Sequence, residues 1–274
     1  MTYYNSVNTE DDGTLPEFPS RVKNNDQLEN ISFTPAIIYS IIRKIKPKMT
    51  HDPEGYPPYL IKQLASVLSH PLSLLYGSFF SVSGVPTAWK TAIITPLFKK
   101  GRPTDPSNYR PVSLTSAFGK IMERVIASSV VQYLNHNNLL NNNQHGFLSK
   151  KSTLTSLLES VNDWSITLEG GNKTAVAYVD FQRAFDSVSH SKLAHKLKAY
   201  GIDGALLKWI IEFLSDRKHC TRVGLSYSEF ASIRSGVVQG SCLGPLLFLL
   251  FINDILDVFT IPVQCKHYVD DSKL

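Results

Sequence analysis

Three aspartates, Asp180, Asp270 and Asp271, are placed to do chemistry together, because Asp180 and the Asp270-Asp271 pair each end an apolar stretch typical of a strand. Carboxylates at the tips of neighbouring strands repel one another. A divalent cation relieves that repulsion, and hard oxygen ligands favour Mg²⁺ or Mn²⁺. Two such ions about 3.5–4 Å apart can hold the attacking and leaving oxygens of a phosphoryl transfer. Each aspartate taken alone also fits an ordinary turn residue at a strand end.

The elements that must position these aspartates change in type along the chain. Residues 174–181 are almost continuously apolar, which predicts a strand buried on both faces, and residues 264–269 form a second strand that leads into Asp270. The order of strands and helices in the last hundred residues predicts an α+β fold with helices on one face of an antiparallel sheet. Further helices are predicted over 35–46, 59–69, 71–81, 116–134, 153–168, 189–200, 204–215 and 246–258. Further strands are predicted over 89–99, 218–224 and 228–234, with polar loops over 101–111 and 135–143.

Composition limits the class of protein without fixing it. The chain has 274 residues, 43% of them hydrophobic, which is enough for one large or two small domains with a buried core. Its net charge of +5 permits a polyanionic partner but does not require one. There is no stretch of eighteen apolar residues and no basic-then-apolar leader, so neither a membrane span nor a secretory signal is predicted.

The cysteines predict an intracellular protein. Cys220, Cys242 and Cys265 are odd in number and lack the C-x-x-C spacing of metal ligands, so we expect reduced thiols. The sequence does not distinguish a nuclear from a cytoplasmic location.

Five motifs, taken in order, resemble those of reverse transcriptases from non-LTR (LINE-type) retrotransposons. They lie within residues 35–274, which the resemblance covers. They are W-K-T-A-I-I-T-P-L-F-K-K (89–100) with N-Y-R-P-V-S-L (108–114), Q-H-G-F (144–147) with Ser152-Thr153, A-Y-V-D-F-Q-R-A-F-D (177–186), G-V-V-Q-G-S-C-L-G-P (236–245) and H-Y-V-D-D (267–271).

The resemblance departs from the family pattern at three places. The family often has Ala where Val269 stands, and Glu54 replaces the aspartate of its G-P-D-G type of loop. The family continues after the Y-x-D-D motif with further palm segments and a helical thumb, whereas this sequence ends at Leu274. A truncated right-hand polymerase fold without a thumb is therefore expected, with a flexible lead-in over 1–33, a fingers region over 34–168 and a palm region over 169–274.

The resemblance implies an RNA-directed DNA polymerase, a nucleotidyltransferase that uses an RNA template, a DNA primer and deoxynucleoside triphosphates. It implies two Mg²⁺ ions, with Mn²⁺ as a substitute, bound by Asp180, Asp270 and Asp271. The backbone carbonyl of Phe181 would add a further oxygen ligand.

The resemblance also implies a nucleotide-binding set of residues. Phe185 would sit under the sugar and exclude a 2′-hydroxyl, although a core aromatic is the plain alternative. Arg110 and either Lys99 or Lys100 would grip the triphosphate, since guanidinium binds phosphate oxygens in bidentate fashion. Gln239 and Gly240 would let the backbone approach the nucleotide closely. For the lysines and for the 239–240 loop, the alternatives are a solvated basic loop and a helix N-terminal turn.

Two other functions compete with a polymerase. A retrotransposon-derived remnant or domesticated RNA-binding module without catalysis fits the expected absence of a thumb. An RNA-directed RNA polymerase shares the palm carboxylates, but Phe185 and the Y-V-D-D context argue against it. Extension of a DNA primer on an RNA template, with an Asp180→Asn control, separates these three functions.

Overall fold

A computed structural model describes residues 9, 11–22, 26–258 and 264–274. Its α-helices are α1 (Pro35–Arg43), α2 (Pro58–Gln63), α3 (Ala65–Ser81), α4 (Ala117–His136), α5 (Thr153–Glu169), α6 (His190–Ala199), α7 (Gly204–Leu214) and α8 (Gly244–Ile252). Its strands are β1 (Thr91–Phe98), β2 (Tyr109–Leu114), β3 (Tyr178–Val179), β4 (Lys218–Val223), β5 (Ser226–Tyr227), β6 (Ala231–Ser232), β7 (Lys266–Tyr268) and β8 (Asp271–Lys273). Within the described part of the chain, no helix is long and apolar enough to cross a bilayer.

Helices α1, α3 and α4 build one side of the hydrophobic core. Thr34 caps α1 through a bond from the Ile37 N–H to its side chain, with Pro35 in the first turn, as the sequence predicts. The loop before α2 also fixes the start of α4, because a carboxylate oxygen of Asp52 accepts the Ala117 N–H at 2.8 Å. The Glu54 carboxylate accepts a hydrogen bond from Ser116, the N-cap residue of α4.

Two sheets carry the strands. The larger one has the order β2-β1-β4-β5, with β6 also pairing β4. Strands β1 and β2 are antiparallel, but β1 and β4 are parallel, with Thr91 opposite Lys218. This sheet therefore joins strands from either side of the predicted boundary between residues 168 and 169. The mixture of helices and sheets agrees with the predicted α+β class.

The smaller sheet carries the aspartates. Its order is β3-β8-β7, and both pairs are antiparallel. Val179 lies opposite Ser272, so the next step of the register brings Asp180 to Asp271. Tyr268 pairs with Asp271, which leaves Val269 and Asp270 as a two-residue turn. The predicted convergence of strand tips is thus confirmed at the level of the backbone.

Several predicted element bounds are wrong. Helices 59–69 and 71–81 are replaced by α2 and a single α3 that continues through Pro71, with the break at Leu64. Proline removes one helical hydrogen bond, to the carbonyl four residues earlier. That carbonyl belongs to Val67, which is 68% exposed, so water can bind it. The predicted helix 246–258 ends as an α-helix at Ile252, followed by a 3-10 turn over 255–258. Strand β2 begins inside the predicted polar loop 101–111, and β8 was not predicted.

The predicted burial of strand 174–181 is also wrong. Only Tyr178–Val179 pairs as a strand, and every residue from 171 to 183 is exposed, Tyr178 to 72%. An apolar run can be recognised by composition, but composition alone does not reveal which neighbours cover it.

Helix α5 packs on β7 with its polar side. Ser160 is buried and accepts a hydrogen bond from Lys273 Nζ at 2.8 Å, and Glu159 pairs with Lys266 at 2.8 Å. The opposite side of the helix is apolar and exposed at Leu154, Leu157, Leu158, Val161 and Leu168. Hydrophobic periodicity, which normally marks the buried side of a helix, therefore identifies the wrong side of α5.

The described part of the predicted flexible lead-in lies along α6 and α7. The Arg21 N–H donates to Ala199 O, and the Leu28 N–H donates to Gly201 O, both at 2.8 Å. Phe18 packs against Tyr200, with ring centroids 5.9 Å apart. A segment that was only a flexible lead-in would not make these contacts, so this stretch contributes to the fold. Residues 1–8, 10 and 23–25 of the same prediction lie outside the described residues.

Candidate functional site

A cleft of about 660 Å³ lies where the turn between β7 and β8 faces β2 and the glycine-rich loop before α8. Its lining includes most of the predicted site. The lining residues are Arg110, Phe147, Arg183, Ala184, Phe185, Asp186, Val238, Gln239, Gly240, Ser241, Pro245, Tyr268, Val269, Asp270 and Asp271.

The pKa of Asp270 is shifted by its surroundings. Burial raises the pKa of its carboxyl, and the negative charges of Asp271 and Asp180 raise it further, while the positive charge of Arg110 lowers it. The three carboxylates therefore interact across the β3-β8-β7 sheet edge. A cation there would favour the charged form of Asp270.

The carboxylates are not drawn together as a ligand cluster. Among the described residues, no group of three or more His, Cys, Asp and Glu side chains is close enough to hold a metal ion. Asp180 and Asp271 are exposed, and neither Asp180 nor Phe181 lines the cleft. The donor set nevertheless fits a hard divalent cation, because it consists of carboxylate oxygens that repel one another without one.

Phe185 lines the cleft with a ring that other aromatics hold in place. It stacks on Phe248 with centroids 4.4 Å apart and meets Phe147 edge-on at 6.3 Å. Its carbonyl accepts the Val237 N–H at 2.8 Å. The ring is thus part core aromatic and part cleft wall.

The glycine-rich loop is tied to the segment that follows Phe185. Gln239 Nε2 donates to a carboxylate oxygen of Asp186 at 2.8 Å, and Ser235 Oγ donates to the Asp186 carbonyl at 2.8 Å. Burial raises the pKa of Asp186, and the bond from Gln239 opposes that shift. Asp186 therefore pairs locally, and both it and Gln239 line the cleft.

Gly240 is a position where only glycine fits. Its φ is +97°, and an added Cβ would meet the carbonyl oxygen of Ser113 at 2.5 Å. Ser113 belongs to β2, so this contact sets the distance between the glycine-rich loop and the strand that carries Arg110.

We expect Gly240→Ala to lower the free energy of unfolding by about 3 kcal/mol, from left-handed strain together with the collision with Ser113. Gly171→Ala is the matched control, since Gly171 has a φ of +74° and nothing within 4 Å of an added Cβ. The control should lose about 1 kcal/mol. Urea unfolding measures the free energy of unfolding of both variants. Equal losses would show that the close approach to Ser113 does not affect stability.

The predicted cations divide into two groups. Arg110 lines the cleft and acts electrostatically on Asp270, as a triphosphate-binding residue there would. Lys99 and Lys100 are exposed and do not line the cleft. The structure therefore brings Arg110, Phe185, Gln239 and Gly240 together with Asp270 and Asp271, and leaves the two lysines at the rim of the sheet.

Glu123 is a residue whose importance the sequence analysis missed. It is 4% exposed, on α4, and one carboxylate oxygen accepts the backbone N–H groups of Cys242 and Leu243 at 2.6 and 3.2 Å. Burial raises its pKa, while those two bonds and the positive charge of Arg217 oppose the rise. The signal available in the sequence was a glutamate within the otherwise largely apolar stretch I-M-E-R-V-I (121–126).

Comparison with known proteins identifies a family for this chain. Residues 98–274 match the family described as reverse transcriptase (RNA-dependent DNA polymerase). The chain is 35% identical over 208 residues to "RNA-directed DNA polymerase from mobile element jockey" of Drosophila melanogaster, an alignment that covers 73% of this chain and 23% of that protein.

Two further relatives support the same family. "Probable RNA-directed DNA polymerase from transposon BS" of Drosophila melanogaster is 33% identical over 67% of this chain and 20% of its own length. A "Retrovirus-related Pol polyprotein from type-1 retrotransposable element R2" of Popillia japonica is 32% identical over 63% of this chain and 24% of its own length. The chain thus spans about a fifth to a quarter of these relatives.

Proposed function

This chain belongs to the reverse transcriptase (RNA-dependent DNA polymerase) family, and on that basis we propose that it adds deoxynucleotides to a DNA primer on an RNA template. The observation that carries this proposal is the gathering of Asp270, Asp271 and Arg110 at one cleft, with Asp180 opposite Asp271 at the next step of the β3-β8 register. Three carboxylates and one guanidinium form the charge arrangement that a nucleoside triphosphate and its divalent cations complement.

The carboxylates of Asp180, Asp270 and Asp271, with the carbonyl oxygen of Phe181, would hold two Mg²⁺ or Mn²⁺ ions. When bound, such ions lower the pKa of the primer 3′-hydroxyl and neutralise charge on the triphosphate and the leaving pyrophosphate. The protein would keep these oxygens close together on one edge of the smaller sheet. The pairing of β3 with β8 supports that role.

The nucleotide would lie along the floor of the cleft. Arg110 would donate to phosphate oxygens in bidentate fashion. Gly240, which lacks a side chain, would allow the sugar and template to approach the loop backbone, and Gln239 would lie beside the sugar. Lys99 or Lys100 would have to move toward the cleft to reach the triphosphate.

We expect Phe185→Ala to raise the ratio of kcat/KM for ribonucleotides to kcat/KM for deoxynucleotides by at least about tenfold, a loss of roughly 1.4 kcal/mol of discrimination. The ring is fixed between Phe147 and Phe248, so removing it opens space where a 2′-hydroxyl would lie. The ratio is measured on one preparation, so a change in the folded fraction cancels. An unchanged ratio would leave Phe185 as a core aromatic only.

The architecture that goes with this function is a right-hand polymerase fold. Residues 34–168 would form the fingers and residues 169–274 the palm, preceded by the lead-in over 1–33. The antiparallel β3-β8-β7 sheet with its aspartates supports a palm, and the β1-β2 hairpin that presents Arg110 supports fingers.

Extension of a DNA primer on an RNA template tests the proposed function. The full chain is supplied with Mg²⁺ and with each class of nucleotide, and Asp180→Asn is the control variant. Deoxynucleotide extension that the substitution abolishes supports the proposal. A preference for ribonucleotides would indicate an RNA polymerase. A folded chain that binds RNA without extension would indicate a non-catalytic module.

A further inference from the structure

The turn that carries Asp270 has an unfavourable backbone conformation. Val269, the first of its two residues, has a φ of +62° and is 7% exposed. A β-branched residue in the left-handed region is a genuine outlier and persists only where its surroundings hold it. Its backbone N–H and C=O also need partners, because a buried polar group without one is costly.

Gln144 supplies both partners. Its Oε1 accepts the Val269 N–H at 2.9 Å, and its Nε2 donates to the Val269 carbonyl at 3.2 Å. The same Oε1 accepts the Gly146 N–H at 2.7 Å. The side chain is 6% exposed. One carboxamide therefore pairs with the turn backbone as a neighbouring strand would.

The segment around Gln144 is itself anchored to β7. The His145 N–H donates to His267 O at 2.8 Å, and the His267 N–H donates to Asn143 O at 2.9 Å. An added Cβ on Gly146 would collide with the Val269 side chain, so the two backbones are closely apposed. These contacts fix where the Gln144 amide lies relative to the turn.

We propose that Gln144 is a positioning residue that holds the Val269-Asp270 turn in its left-handed form and so aims the Asp270 carboxylate into the cleft. The consequence for metal binding by Asp270 rests on the proposed function. The effect of Gln144 on the conformation of the turn does not. Without the amide, the Val269 backbone would lose two hydrogen bonds and the turn would relax toward conformations that valine prefers. Asp270, the next residue, would turn with it.

The test uses the full chain with Gln144→Leu, which keeps the approximate bulk and removes the hydrogen bonds. Hydrogen–deuterium exchange at Val269 should become at least about tenfold faster. Mn²⁺ affinity in the presence of a deoxynucleoside triphosphate should fall about tenfold or more, as for other residues that orient a ligand. Val269→Gly in the same chain should restore much of the Mn²⁺ affinity, because glycine adopts a positive φ without strain.

Asn253→Ala is the matched control. The Asn253 amide also makes three hydrogen bonds, to Asn141, Leu139 and Tyr200, and none of them reaches the turn. We expect this variant to lose thermal stability while exchange at Val269 and Mn²⁺ affinity stay as in the wild type. Gln144→Glu, which keeps the acceptor oxygen, gives a second variant if Gln144→Leu does not fold, with a smaller rise in exchange.

Exchange and Mn²⁺ affinity that match the wild type in folded Gln144 variants would overturn the proposal, as would a failure of Val269→Gly to restore Mn²⁺ affinity. A wild-type chain that binds no Mn²⁺ would instead contradict the proposed function. In that case exchange at Val269 in Gln144→Leu still decides whether Gln144 holds the turn.

Discussion

Asp270→Asn is expected to lower the rate of deoxynucleotide addition by about three orders of magnitude, the effect of removing a charge that acts directly on the transition state. The substitution keeps the size of the side chain and removes a negative charge. It also removes repulsion from Asp271 and Asp180, two of the charges that raise the pKa of Asp270. Thermal stability should therefore stay the same or rise. Single-nucleotide incorporation and thermal unfolding measure the two effects separately.

Asp12→Asn provides the matched control for that variant. Asp12 is exposed and pairs with Lys192 at 2.9 Å, away from the cleft. Exposed ion pairs contribute little, so its rate should stay within about twofold of the wild type. If Asp270→Asn also retained its rate, the carboxylate set would have no catalytic role.

Glu123→Ala is expected to lower the free energy of unfolding by about 3 kcal/mol. The substitution leaves the buried N–H groups of Cys242 and Leu243 without an acceptor, at about 1–3 kcal/mol each. It also removes the negative charge that favours the protonated form of buried Arg217, whose pKa burial lowers to about 10. Urea unfolding measures the loss. Glu169→Ala, an exposed helical glutamate, should change stability by less than about 0.5 kcal/mol.

The pH dependence of Glu123→Gln gives an independent check. Since burial raises the pKa of Glu123 above its ordinary value of 4.5, the folded state holds the proton more tightly than the unfolded state. Its contribution to stability is complete below pH 4.5 and is lost as the pH rises through the folded pKa. Stability of the wild type relative to Glu123→Gln should therefore decrease with rising pH above that value. A stability difference between the two proteins that does not change with pH would mean that burial does not raise the pKa of Glu123.

Local signals in the sequence predict most helices well. Thr34-Pro35 starts α1 and Ser116 starts α4, because capping depends on residues only a few positions apart. Non-local pairing was harder to predict. Strand β2 depends on β1 for every hydrogen bond of its ladder, and β8 is a three-residue strand whose partners are β3 and β7.

The contrast between local signals and non-local contacts also applies to the candidate site. The strand ends before Asp180 and Asp270 were visible as apolar runs, and the positions of Arg110, Phe185 and Gln239 followed from the motifs. Gln144 and Glu123 were not assigned roles, because each acts on a backbone segment more than a hundred residues away in sequence. Only the folded chain shows which backbone N–H groups donate hydrogen bonds to these side chains.

The number of Mn²⁺ ions bound to the full chain, with primer, RNA template and a deoxynucleoside triphosphate present, tests the central claim most directly. Electron paramagnetic resonance counts bound ions without requiring turnover. The carboxylate arrangement predicts two ions on the wild-type chain and fewer on Asp270→Asn under the same conditions. A wild-type chain that binds none, or an Asp270→Asn chain that binds the same number with the same affinity, would contradict it.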